Sequence, residues 1–194
     1  MRLVLAAALV LASATAQAAV IDFEADTTGA KPNGFVSASS PAASFSGTSD
    51  GELDIGETTP ESIGNALRLF GSMSSRLQID FAAPVDSLSL VFSNDDLCCA
   101  IPPAFAWMEI FDGVTSLAIV SVEMNMNDLP DQTIAYAGGP FNRAQVWYGT
   151  AQGDGVGLTE VIDNVTFNVA TPEPASLALL GAGLLGLAGL RRRR

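Results

Sequence analysis

Apolar and polar residues alternate in short stretches throughout residues 19–170. Residues 77–81, 87–93 and 161–169 each place an apolar side chain at nearly every second position. This period puts successive side chains on opposite faces of a β-strand, whereas no stretch carries the 3.6-residue apolar stripe of an amphipathic helix. Asp112-Gly113 stands between two such runs and is typical of a tight hairpin turn. The pattern predicts about eight to ten strands, no long helix and an all-β, two-sheet sandwich of jelly-roll type.

Several further stretches show the alternation that is typical of strands, whereas residues 31–49 do not. Residues 31–49 are rich in Ser, Ala and Gly, so they are predicted to form a long loop or a poorly paired edge. The further strands are predicted at residues 20–24, 66–70, 105–111, 116–123, 132–137 and 144–149.

The N-terminus carries the three parts of a secretory signal. Arg2 supplies a positive charge, residues 3–12 supply an apolar core, and Ala16-Gln17-Ala18 supplies the small-x-small cleavage signature. An apolar core of about ten residues is too short to cross a bilayer, which needs about twenty. Residues 1–18 are therefore predicted to be a signal peptide that is cleaved after Ala18, so that the mature protein begins at Ala19.

The C-terminus has a second composite pattern. Two prolines flank Glu173 and interrupt regular backbone hydrogen bonding, and an uncharged run follows at residues 175–190. As a helix this run would be about 24 Å long, slightly short of a hydrocarbon core of about 30 Å, and arginine side chains at its end reach the interface. Because the basic residues 191–194 all follow the run, the positive-inside rule predicts a transmembrane helix with the body outside.

These C-terminal residues resemble the PEP-CTERM sorting signal of exported Gram-negative proteins, with Thr171 where the family often has Val. The resemblance implies that a membrane-embedded transpeptidase, the exosortase, recognises the Pro-Glu-Pro tripeptide and severs the tail, residues 171–194. It also implies a bacterium that secretes an exopolysaccharide (biofilm) matrix. The alternative is an ordinary tail anchor that is never cut. The sorting residues are Pro172, Glu173, Pro174, Arg191, Arg192, Arg193 and Arg194.

The charge of the body limits its partners. Residues 19–170 hold 20 of the 21 acidic residues and four of the nine basic ones, a net charge of −16 against −12 for the whole chain. Such a surface lacks the clustered Lys and Arg that neutralise phosphates, so nucleic acid is not an expected partner. Divalent cations and cationic surfaces fit it better, and solubility outside the cell is the simplest explanation.

The absence of histidine excludes Ser-His-Asp and Cys-His relays and His-ligated zinc. Residues 47–51 match the G-x-S-x-G pattern, but no helical pattern follows them, and we interpret them as a turn. Glycoside hydrolysis would need two carboxylates about 5 to 10 Å apart, and no such pair stands out in the sequence. We therefore nominate no catalytic residue and predict a protein without enzymatic activity.

Cys98 and Cys99 are the only cysteines, and they are adjacent. Two cysteines exclude a disulfide framework. The sequence allows three states of this pair: reduced, partly buried thiols, a vicinal disulfide, or an intermolecular bridge. The oxidising compartment outside the membrane favours the vicinal bond.

Three short phrases of the body resemble the frame of jelly-roll domains that occur in many PEP-CTERM proteins and among carbohydrate-binding jelly rolls. They are residues 21–24 (Ile-Asp-Phe-Glu), 141–144 (Phe-Asn-Arg-Ala) and 162–167 (Ile-Asp-Asn-Val-Thr-Phe). In those domains the first and last strands lie together, and their acidic residues hold a structural calcium ion. The Ca²⁺ ligands that the resemblance implies here are Glu24 and Asp163, with Asp22 and Asp26 as further candidates.

The position of Asp163 in the alternation bears on this calcium site. It has the same parity as Val161, Val165 and Phe167, which predicts that its carboxylate points toward the packed side. A carboxylate there is costly unless it is hydrogen-bonded or bound to a cation, and oxygen ligands without His or Cys suit calcium. The alternative is that Asp163 accepts hydrogen bonds from backbone amides near a bulge while the other carboxylates are solvated.

Trp147 and Tyr148 are candidate ligand-binding residues, because aromatic faces stack on sugar rings. The alternation places Trp147 opposite Val146 and Tyr148, which predicts that one of its faces is exposed. Trp107 is expected to be an ordinary core aromatic.

Together these patterns predict an exported cell-surface or matrix protein, and the resemblance to PEP-CTERM proteins implies that an exosortase-type system sorts it. Its precursor is expected to be anchored in the inner membrane with the body in the periplasm. The body is expected to be non-enzymatic and to contact exopolysaccharide. The alternatives are a secreted hydrolase that acts on polysaccharide and a purely structural envelope protein.

Overall fold

The computed structural model contains a compact unit, Gln17–Ala170. The predicted signal peptide up to residue 17, the Cys98-Cys99 pair and the sorting tail lie outside the described residues. Within the part of the chain that is described, no helix is long and apolar enough to cross a membrane. The described residues are 18–57, 64–93, 103–127 and 129–170.

The described residues form β-strands joined by turns and loops, and they contain no helix. Burial alternates along the strands, as the period-two sequence pattern predicts. The all-β class and the predicted jelly-roll-like sandwich are confirmed. The strands are β1 (Ala18–Ile21), β2 (Gly29–Lys31), β3 (Ala43–Gly47), β4 (Glu52–Glu57), β5 (Asn65–Phe70), β6 (Leu77–Ser93), β7 (Phe105–Asp112), β8 (Thr115–Glu123), β9 (Gln132–Gly149) and β10 (Glu160–Val169).

Two long strands, β6 and β9, contribute to both layers of the sandwich. The start of β6 pairs with the end of β9, and the end of β6 pairs with the start of β9. The first layer has the order β3-β6-β9-β7-β8. In the second layer β9, β6 and β10 are followed by β5, β4 and β2, while β1 lies beside β5 on the same edge of β10. The register between β6 and β9 breaks around Val85, and such irregularities allow strands to turn from one layer into the other.

The core lies between the two layers. Alternate residues of β6 and β7, such as Ile79 and Met108, are fully buried, and the second layer contributes Leu67 and Phe167. Phe167 packs against Phe81, with ring centroids 5.1 Å apart. Apolar area removed from water in this way stabilises the fold by about 25 cal/mol per Å².

The prediction of a loop or poorly paired edge at residues 31–49 is only partly correct. Strand β3 lies within this stretch and pairs with β6 from Ala43 to Gly47. The following strand, β4, was not predicted, although Leu53 and Ile55 alternate with its acidic residues. Strand β3 was missed because its small residues weaken the apolar alternation in its sequence. Strand β4 was missed because its acidic residues are typical of a solvated loop. Both strands form because their neighbours β6 and β5 supply pairing partners.

The hairpin predicted at Asp112-Gly113 is present. Strands β7 and β8 pair along their length, and Asp112 lies opposite Thr115. Gly113 has a φ of 60°, a left-handed conformation that glycine adopts without steric cost. Val114, the second turn residue, is 91% exposed.

We expect Phe167→Ala to lower the free energy of unfolding of residues 19–170 by about 3 to 5 kcal/mol, because it removes a buried ring and leaves a cavity. Urea unfolding followed by tryptophan fluorescence measures this change. The matched control is Val114→Ala, an exposed position whose substitution should change the stability by less than about 0.5 kcal/mol. A loss for Phe167→Ala as small as that of the control would contradict the described core.

Candidate functional site

The outward-facing side chains of the first layer form a polar and aromatic surface, which we call the outer face. They alternate with buried residues of the same strands and lie in cross-strand rows. Gln145 pairs with Gln78 on one side and with Glu109 on the other. The residues of the outer face are Arg76, Gln78, Asp80, Trp107, Glu109, Arg143, Gln145 and Trp147.

Hydrogen bonds connect the polar side chains of the outer face across the strands. Gln145 Nε2 donates to Gln78 Oε1 at 3.1 Å, and Gln78 Nε2 donates to Asp80 Oδ2 at 2.7 Å. Arg143 Nε donates to Asp80 Oδ1 at 2.6 Å, and both side chains are 33% exposed. The row is therefore ordered by its own contacts while its polar atoms stay in reach of solvent.

Arg76 connects this network to the aromatic part of the outer face. It donates to Glu109 Oε2 at 3.1 Å, and its guanidinium lies 3.8 Å from the centroid of the Trp147 ring. The Trp147 ring stacks on Trp107 at 6.0 Å with an interplanar angle of 12°. Arg76 and Arg143 are thus both paired with carboxylates, so the outer face carries charges of both signs.

The structure reverses the expected roles of the two tryptophans. Trp147 is only 4% exposed, because it packs against Trp107 and Arg76 and donates its indole N–H to the Gly153 carbonyl at 2.9 Å. Trp107, expected in the core, is half-buried on the outer face and donates to the Thr150 carbonyl at 3.0 Å. The exposure of each tryptophan depends on the pairing of Trp107 with Trp147 across β7 and β9. The alternation pattern within a single strand carries no information about this pairing.

Tyr148 is fully buried, so its prediction as a ligand-binding residue is wrong. Its hydroxyl hydrogen-bonds the Ser93 carbonyl, and the Val161 backbone N–H donates to it at 3.3 Å. The Tyr148 ring lies on the inner side of β9, next to Phe92. This residue connects the end of β9 to β6 and β10 and acts as a structural element.

Asp163 is buried with one oxygen unsatisfied. The residue is 4% exposed, and its Oδ2 accepts a hydrogen bond from Asn164 Nδ2 at 3.0 Å. Its Oδ1 has no hydrogen-bond partner among the described residues. Burial above all, and the negative charges of Glu24 and Asp22 to a smaller extent, raise the pKa of Asp163 to about 6, while a hydrogen bond with the Asn164 backbone partly opposes them. Such a carboxylate is the kind of group that a bound cation would satisfy.

A β-bulge positions Asp163. The register of β10 shifts after Asp163, and Asn164 adopts a left-handed φ of 47°. The extra residue reverses the alternation, so that Ile162 joins Phe167 in the core cluster and Val161 does not. The expectation that Asp163 shares the core-facing side with Phe167 is therefore wrong, although the residue is buried as predicted.

The chain after β1 brings two further carboxylates toward Asp163. Because β1 and β5 lie on the same edge of β10, the segment after Ile21 passes along that edge. Glu24 Oε1 accepts a hydrogen bond from the Asn65 backbone at 3.2 Å, and Asp22 Oδ1 accepts one from the Glu24 backbone at 3.3 Å. Phe23, between them, has a φ of 58° and is anchored in the core against Phe45.

Asp26 takes a separate position. Its Oδ1 accepts a hydrogen bond from the Ala38 backbone at 2.8 Å and its Oδ2 accepts one from Ser37 Oγ at 2.5 Å. Asp26 therefore fastens the loop after β2 and is not one of the charges that act on Asp163. Among the described residues, no group of three or more His, Cys, Asp or Glu side chains is already arranged to hold a metal ion.

Glu160, which the sequence did not single out, is a further buried carboxylate, in addition to Asp163 and Asp26. It is 5% exposed, and its Oε1 accepts a hydrogen bond from the Tyr148 backbone at 3.3 Å. Burial raises its pKa from 4.5 to about 7. The folded state therefore binds this proton more tightly than the unfolded state, and the stability falls as the pH rises from about 4.5 to 7.

A comparison with known protein families agrees with the predicted sorting tail. Residues 170–194 match the family model described as the PEP-CTERM protein-sorting motif, which marks the chain as an exported, exosortase-processed surface protein. No curated protein matches the chain.

Two of the similar solved structures are carbohydrate-binding modules. A mutant of the family 29 module CBM29-2 is 12% identical and covers 82% of this chain and 99% of its own, with a TM-score of 0.46. The CBM22-1 xylan-binding domain from Paenibacillus barcinonensis Xyn10C is 8% identical and covers 84% and 100%, with a TM-score of 0.45. At this level of similarity neither structure assigns a ligand or a site residue to this chain.

We expect Glu160→Gln to reduce the decrease in stability between about pH 4.5 and 7, leaving the part that the raised pKa of Asp163 causes below about pH 6, and to raise the free energy of unfolding at pH 8 by up to about 3 kcal/mol. Urea unfolding at a series of pH values measures both effects. The control is Glu52→Gln at the exposed start of β4, which should leave the profile unchanged. A Glu160→Gln profile parallel to that of the unsubstituted domain would contradict the buried, protonated carboxyl.

Proposed function

We propose that this exosortase-sorted protein is a non-enzymatic surface or matrix protein that binds exopolysaccharide through the outer face. The tail is proposed to anchor the precursor in the inner membrane, with the body in the periplasm, until the exosortase cuts it. The observation that carries the binding proposal is the ordered ladder of amide, carboxylate and guanidinium groups beside Trp107.

The chemistry of this ladder suits a sugar chain. Gln78 and Gln145 each offer an amide donor and acceptor, Asp80 accepts, and Arg143 donates, which matches the hydroxyl groups of a pyranose ring. The half-buried Trp107 supplies apolar surface for the C–H face of such a ring. Because the side chains already hold one another across the strands, little rotamer entropy remains to be lost on binding.

We expect residues 19–170 to co-sediment saturably with exopolysaccharide purified from the native host. Gln145→Ala should weaken binding, and Trp107→Ala should raise the Kd about five- to tenfold, consistent with the loss of one aromatic contact. Met73→Ala, at an exposed position outside the outer face, is the control and should bind as the unsubstituted domain does.

The same assay separates the alternatives. Absence of binding, or equal binding by all three variants, would overturn the outer face as a glycan site and leave an envelope protein whose partner is not the matrix polymer. Shortening of the polymer during incubation would instead reveal the hydrolase that the sequence left open.

We also propose a structural Ca²⁺ ion beside Asp163, held by its unsatisfied Oδ1 with Glu24 and Asp22. Three observations support it: the buried oxygen without a partner, the two nearby negative charges and the all-oxygen donor set. Glu24 and Asp22 would have to turn toward the ion, since they are held by backbone hydrogen bonds in the described arrangement. Such an ion would fasten β1 to β10 and act on stability.

At a calcium concentration of about a hundred times the Kd, we expect the Tm of residues 19–170 to rise by about 5 to 10 °C relative to EDTA. Asp163→Asn should abolish this rise and increase the Tm in EDTA, because it removes a buried, unpaired charge. Asp26→Asn, which weakens a separate hydrogen-bonded loop, should lower the Tm but keep the calcium response. A Tm that neither calcium nor chelator changes would remove the metal proposal.

A further inference from the structure

Strand β8 is an edge strand of the sandwich, and its only charged residue is the last one, Glu123. Among the described residues it pairs only with β7, and it ends the strand order of its layer. Leu117 and Ile119 are 46% and 54% exposed, and residues 115–122 contain no charged side chain in a body of net charge −16. Soluble proteins usually protect a long edge strand with charge or proline, because its free backbone groups are a template for another strand.

The inner side of β8 is also incompletely covered. On the adjacent β7, the inward residues Ala106 and Met108 are fully buried. On β8 the corresponding residues Ala118, Val120 and Val122 contact the core but are only half-buried. The second layer therefore does not fully cover β8, the last strand of the first layer. Apolar side chains of β8 are in contact with solvent on both of its sides.

We propose that a second copy of this chain docks on β8 by antiparallel strand pairing. The register shift after Ile110 leaves Leu117 as an extra residue, so the regular edge runs from Ala118 to Glu123. Pairing centred on Val120 places Ala118 opposite the partner copy's residue 122, which joins the apolar inner sides. It also keeps the two Glu123 carboxylates about 20 Å apart, because six residues separate each from its symmetry-related position.

The lack of charge along residues 115–122 suits β8 to pairing with a second copy. Two bodies of net charge −16 repel each other, so an association between copies must use a strand that carries no charge itself, and these residues of β8 form such a strand. A two-fold axis makes the same patch serve both partners, so each copy covers the other and no further open edge is created at that position.

Sedimentation equilibrium of residues 19–170, in the absence of any glycan, tests this pairing. We expect a reversible monomer–dimer equilibrium at micromolar concentrations. Ile119→Lys should weaken the dimer at least tenfold, because the two exposed side chains lie within about 8 Å of each other across the axis and would repel. The control is Met73→Lys, which makes the same charge change at a 67% exposed loop position and should dimerise as before.

A charge-swap experiment makes the test specific to β8. Ile119→Lys and Ile119→Glu should each be monomeric alone, and an equimolar mixture should form a heterodimer. A monomeric unsubstituted domain, or a dimer that Ile119→Lys leaves intact, would overturn the proposal. The second result would show that the copies associate through another surface.

The dimer has a consequence that rests on the proposed glycan binding. A two-fold axis perpendicular to the sheet leaves both outer faces on the same side, so one polymer can engage two sites with higher avidity. At concentrations above the dimer Kd, the unsubstituted domain should then bind long polymer more tightly than at concentrations below it, but short oligomers equally well at both. If the domain binds no glycan while the dimer forms, the proposed function fails and the β8 pairing stands.

Discussion

The pairing of β6 with β9 is the contact on which the rest of the structure depends. These strands are hydrogen-bonded through both layers, and their register breaks around Val85, where the sheet turns. The first half of the pairing aligns the side chains of the outer face, Gln78 with Gln145 and Asp80 with Arg143. The second half places β6 beside β10 and thereby positions Asp163. A shift of the β6–β9 register by one residue would turn these polar side chains into the core.

The two arginines of the outer face are both paired with carboxylates of this strongly acidic domain. Arg143 on β9 pairs with Asp80 on the adjacent β6, and Arg76, just before β6, pairs with Glu109 on β7. Half-exposed ion pairs contribute little to stability, so their main effect is to hold side chains in one orientation. That orientation fits recognition of a neutral, hydroxyl-rich polymer better than recognition of a polyanion, which the net charge of the body would repel.

The sequence predicted the strands that have clear alternation, such as β6, β7 and β10, because burial on one face imposes that pattern. It did not predict β4, whose carboxylates mask the alternation of Leu53 and Ile55. The sequence offered a bulge near Asp163 only as an alternative and did not locate the inserted residue, which reverses the face of every residue of β10 before it. The exposure of Trp107 and Trp147 depends on a cross-strand contact, which no local pattern encodes.

The two candidate sites belong to different layers, and this separation determines how they can influence each other. The outer face lies on the first layer, whereas Asp163 lies on β10 of the second, at the edge that β1 and β5 share. No residue is common to both sites. A cation at Asp163 would therefore make no direct contact with a glycan at Trp107. It would affect glycan binding only by changing the stability of the domain. The sorting tail specifies where the protein goes, while the sheet surface of the first layer carries the chemistry available there.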